Sequence, residues 1–91
     1  KTPKIFAGWA AGINNQGNIV GQAAITKRYP VPPTPFLIHA GTFYDINDLL
    51  INKDAVEIHR VLQISDTGVI LVYGHADKKG HAFLLRPIKP K

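Results

Sequence analysis

Apolar positions along this chain come in short bursts separated by turn-forming residues, the pattern of strands and hairpins rather than of long helices. Ile5 to Ile13 and Asn18 to Ile25 bracket Asn14-Asn15-Gln16-Gly17, and Ile58 to Ile64 and Val69 to His75 bracket Ser65-Asp66-Thr67-Gly68. Phe36 to His39 and Phe43 to Asp45 predict two more strands around Ala40-Gly41-Thr42. His81 to Arg86 predicts a last one after Asp77-Lys78-Lys79-Gly80. Asp45 or Asn47 can cap the apolar residues that follow, which suits at most one short helix near 46–51. The expected fold class is all-β and antiparallel, with about seven strands.

Two stretches of this pattern are copies of one another. Residues 11–21 align with 62–72 at an offset of 51, matching Ile13 with Ile64, Asn15 with Asp66, Gly17 with Gly68 and Ile19 with Ile70. Downstream, Pro35-Phe36-Leu37-Ile38 aligns with Ala82-Phe83-Leu84-Leu85, so the second copy has a shorter connection. The excess falls around Tyr29-Pro30-Val31-Pro32-Pro33, where the prolines cannot donate to a ladder and mark a loop. Asn15 or Asp66 is expected to accept from its own backbone two residues on. Gly17 or Gly68 is expected to take the positive φ of a hairpin loop with a bulge. A period near 50 residues with about four short strands per unit predicts two four-stranded, blade-like repeats of a propeller-like array, unit 1 about 5–46 and unit 2 about 56–87, in one domain. Two blades cannot close a ring, so other repeats of a parent chain, or further copies in a homo-oligomer, are the expected partners.

Four segments carry a resemblance to a known family. They are Gly12-Ile13-Asn14-Asn15-Gln16-Gly17-Asn18-Ile19-Val20-Gly21, Asp45-Ile46-Asn47-Asp48-Leu49-Leu50, Ile64-Ser65-Asp66-Thr67-Gly68, and Gly80-His81-Ala82-Phe83-Leu84-Leu85-Arg86-Pro87. Together they resemble the HAF family of bacterial extracellular repeats, in which a G-I-N-[ND]-x-G-x-[IV]-V-G segment recurs ahead of a His-Ala-Phe strand. Thr34-Pro35-Phe36 stands where the first copy should have His-Ala-Phe. The resemblance implies propeller-like repeats in secreted or cell-surface proteins, with no well-established catalytic residues. Its last segment looks like the final repeat of such a protein, which implies a C-terminal piece.

Composition narrows the function classes. With 45% apolar and 19% charged residues the chain is too apolar for disorder. No cysteine is present to form a disulfide or a thiolate metal site. The longest apolar runs, such as Val69 to Tyr73, are strand-sized, so no membrane span is expected. The absence of methionine, with lysine at both ends, reads as a trimmed or processed product. The formal charge of +5 sits largely in Lys1, Lys4, Lys89 and Lys91. A near-neutral body with basic tails is a poor footprint for nucleic acid.

Candidate chemistry is sparse. Asp66-Thr67-Gly68 matches the triplet of dimeric aspartic proteases, in which two facing carboxylates share a proton. Turn chemistry is the preferred reading, because Val69 replaces the small residue expected next and the first copy carries Asn15-Gln16-Gly17 instead. His39, His59, His75 and His81 are not spaced as a metal-ligand set, so no metal or cofactor is expected. His75 and His81, flanking a hairpin, are the one pair placed to approach each other. Trp9, Tyr29 and Tyr73 are the candidate binding residues, for a protein or, in lectin-like fashion, a glycan. The competing reading makes Phe6, Phe36, Phe43 and Phe83 core and packs Trp9 between sheets. The chain is expected to be a non-enzymatic repeat module with a binding or structural role.

Overall fold

The computed structural model describes residues 7–24, 33–51 and 54–87. They form β1 (Ala7–Ile13), β2 (Ile19–Ala24), β3 (Thr34–His39), β4 (Thr42–Asp45), α1 (Ile46–Leu49), β5 (Val56–Ile64), β6 (Ile70–Ala76) and β7 (Lys79–Leu85). The strands make two antiparallel sheets, β1-β2-β3-β4 and β5-β6-β7. The described residues are therefore all-β with one short helix. The second sheet has three strands among the described residues, not the four that the repeat predicts, and the two sheets close into neither a barrel nor a propeller. No helix among these residues is long and apolar enough to cross a membrane.

The tighter hairpins differ from the sequence reading in one respect. Asp77 and Lys78 both have positive φ, as a two-residue type I′ turn requires, so Lys79 and Gly80 already belong to β7. Ala40 and Gly41 repeat that geometry between β3 and β4. Pro35 pairs with Gln22 at the start of β3, before β4 begins to pair at Phe36, so its missing N–H interrupts no ladder bond to β4.

The core lies where β5 packs against β1, β2 and β3 of the other sheet. Val20, Ile46, Ile58, Val61, Ile64, Ile70 and Val72 are buried there, with Leu37, Phe83 and Leu85 packed beside them. Fully buried side chains of this size each contribute roughly 1.5–3 kcal/mol. Strand β6 buries Ile70, Val72 and Gly74 in strict alternation. Strand β5 buries every third residue instead. Its pairing with β6 skips between Ile58 and Arg60 and again between Val61 and Gln63, so His59 and Leu62 are the extra residues of two bulges. Each bulge turns two successive side chains outward, which returns Val61 and then Ile64 to the core and keeps Arg60 out of it.

Polar side chains that precede β5 in the chain complete its backbone. Asn47 Nδ2 donates to Ile58 O at 3.0 Å while its Oδ1 accepts from Ile58 N–H at 2.8 Å, so one amide stands in for a neighbouring strand. The buried amide of Gln22 donates to Val61 O at 3.0 Å. Asp45 caps α1 by accepting from Asn47 N–H. Phe36 is buried on the opposite face of the first sheet, stacked on Phe43 with ring centroids 5.3 Å apart.

Candidate functional site

The two five-residue loops of the repeat have the same backbone bonding. Asn14 N–H donates to Asn18 O and Gly17 N–H to Asn14 O; Ser65 N–H donates to Val69 O and Gly68 N–H to Ser65 O. Each loop ends its turn in the left-handed region, with φ of +79° at Gly17 and +88° at Gly68, where a side chain would be strained. The residue that folds back on its own backbone is one position earlier than the sequence suggests. Asn14 Oδ1 accepts from Gln16 N–H and Asn18 N–H, and Ser65 Oγ accepts from Val69 N–H.

Asn15 and Asp66 are thereby released to bond each other. Asn15 N–H donates to Asp66 Oδ1 and Asn15 Nδ2 to Asp66 Oδ2, both at 2.8 Å, while Asn14 Nδ2 reaches Ser65 O at 3.0 Å. Equivalent positions of the two copies thus lie side by side. Both oxygens of Asp66, the carboxylate of the protease-like triplet, accept from Asn15 of the same chain. Every buried side-chain nitrogen and oxygen among the described residues has a hydrogen-bond partner.

The outward face of the second sheet collects the other candidates. Parity along β6 and β7 puts Leu71, Tyr73, His75, Ala82 and Leu84 on the side away from the core. Leu62, Tyr73 and Leu84 are exposed large apolar residues, at 41%, 40% and 56%. Tyr73 lies across Gly80, where an added Cβ would collide with its hydroxyl, and its ring meets His75 edge-on at 6.1 Å.

The structure separates some predicted residues and joins others. Trp9 on β1 is 57% exposed, so it does not pack between the sheets. It also belongs to the sheet that lacks Tyr73. Tyr29 lies outside the described residues. His81 pairs with Gly74 and His75 with Gly80, which places the two histidines on opposite faces of the sheet. The partner of His75 is His59, with Nδ1 and Nε2 2.7 Å apart. Register was the missing signal: counting back from Ile64 and Ile70 sets His59 opposite His75 without bulges, and the bulges then bring Glu57 opposite His75 as well.

No family model, curated protein or solved structure matches this chain.

Proposed function

We propose that the chain is a non-enzymatic repeat module, a two-unit segment of a propeller-like array of the HAF type in a secreted or cell-surface bacterial protein. The observation that carries this reading is the Asn15–Asp66 pairing, which joins the same position of two successive copies through two hydrogen bonds. The outward face of the second sheet supports it, since Leu62, Tyr73 and Leu84 present apolar surface of the kind that a further unit would cover. In such an array the strands form the scaffold and the loops contact a protein or glycan ligand.

Light scattering across a wide range of protein concentration tests the reading. Self-association that buries the second sheet, and that Leu84→Lys or Leu62→Lys abolishes, is the expected result. A strict monomer whose Leu84→Lys variant is as stable and as monomeric as the parent would sink it.

A further inference from the structure

Glu57, His59 and His75 bring three metal-ligating atoms within 4.8 Å of one another on the outward face of the second sheet. We propose that they form a binding site for a borderline divalent transition-metal ion, Zn²⁺ or Cu²⁺. The site does not depend on the repeat reading, because all three residues lie on one hairpin.

The backbone sets the arrangement. Glu57 and His75 are direct cross-strand partners, and His59 is the extra residue of the first β5 bulge, turned out beside them. Sites carried on strands hold their donors more tightly than sites on loops. The rings are also held by their neighbours. His59 meets His75 at 4.5 Å with a 75° interplanar angle, and the Tyr73 ring meets His75 edge-on at 6.1 Å.

The distances suit a metal. His59 Nε2 stands 2.7 Å from His75 Nδ1 and 3.3 Å from Glu57 Oε1. A tetrahedral ion with bonds of about 2.0–2.1 Å separates its ligand atoms by about 3.3 Å. The Glu57–His59 spacing already meets this, the two imidazoles need to part by roughly half an ångström, and the exposed Glu57 side chain, with its oxygen within 4.8 Å of the His75 nitrogen, must swing to complete the third edge. In the metal-free protein a single proton must lie between the two imidazole nitrogens, one donating and one accepting. A cation that replaces this proton converts the hydrogen bond into two coordinate bonds. Two imidazoles and one carboxylate are the donor set of zinc, copper and non-haem iron sites, and three protein ligands leave a position open to solvent.

The surroundings favour cations. An open groove beside the cluster is lined by Asp48, Asp54 and Asp77 as well as Glu57 and His75, so its acidic side chains outnumber the opposing charges of Lys78 on its wall and of the outward-facing Arg60 next to His59. Hard ions are poorly matched, since Mg²⁺ and Ca²⁺ take oxygen ligands.

Titration of the whole chain with ZnCl₂, followed by calorimetry and by histidine side-chain NMR signals, tests the proposal. The expected result is one site of micromolar affinity that shifts the His59 and His75 signals while leaving His39 and His81 unmoved. Cu²⁺ should bind more tightly and Mg²⁺ should have no effect. His75→Asn and Glu57→Gln should each weaken Zn²⁺ binding at least about tenfold, the lower end of what loss of even an outer-sphere partner costs. His81→Asn should bind as the parent does. Glu57 is exposed, so Glu57→Gln reports on the site even where His75→Asn disturbs the hairpin. Binding weaker than millimolar, or equal binding by the parent, His75→Asn and Glu57→Gln, would overturn the assignment.

Discussion

Asn15 donates twice to the carboxylate of Asp66, one bond to each oxygen, so the two copies of the repeat are linked through the position they share. Asp66→Ala removes both bonds and should destabilise the fold by about 1 kcal/mol. Asn15→Ala keeps the backbone donor and should cost about half as much. In urea unfolding the double variant should be little less stable than Asp66→Ala alone. Fully additive losses would show that the two side chains do not act on each other.

Asn47 is the larger structural commitment, because its amide serves both the N–H and the C=O of Ile58. Asn47→Ala leaves both groups of a partly buried strand without that partner and should cost about 2 kcal/mol. The measurement is the urea midpoint at unchanged slope.

Lys78 holds a φ of +65° in the β6–β7 turn, a conformation that glycine adopts without a Cβ penalty. Lys78→Gly restores the Asp-Gly pair that type I′ turns prefer and should raise stability by about 0.5–1 kcal/mol. A rise in thermal midpoint is the expected readout.

Burial raises the pKa of the Asp45 carboxyl above its ordinary 3.8, the hydrogen bonds from Asn47 pull it back down, and the nearby Asp48 charge adds to the rise. A carboxyl that keeps its proton more readily folded than unfolded costs stability wherever it is ionised. That cost is full at neutral pH and disappears below 3.8, where both states are protonated. Asparagine caps a helix about as well as aspartate. Asp45→Asn should therefore be more stable than the parent at neutral pH and equal to it at about pH 3. A gain that persists in acid would assign the effect to something other than the charge.

Much of the fold is legible from local signals. Gly17 and Gly68 mark their turns because only a residue without a Cβ takes that backbone freely, and the matched Ile13 and Ile64 place the flanking strands. The errors arise where tertiary structure overrides local pattern. Asn15 reads as a self-capping turn residue because its chemistry permits that, yet Asn14 is the one whose carbonyl oxygen points back into the loop. Along β5 the bulges at His59 and Leu62 displace the expected alternation, so Arg60 and Leu62 face outward and Val61 inward. The histidine cluster was hidden for the same reason: His59 and His75 are far apart in sequence, and only hairpin register brings them together. Trp9 looks like core by size alone, but β1 leaves it exposed.

The Asn15–Asp66 link also has a direction. Both donors lie on Asn15 of the first copy and both acceptors on Asp66 of the second, so the two copies meet through different faces of the same turn and not through like faces. Repeating the operation that relates the two copies adds units head to tail, with one end of the stack offering donors and the other acceptors. Such an assembly grows in register and one way, closing as a ring if the rotation per unit allows and otherwise extending as a filament.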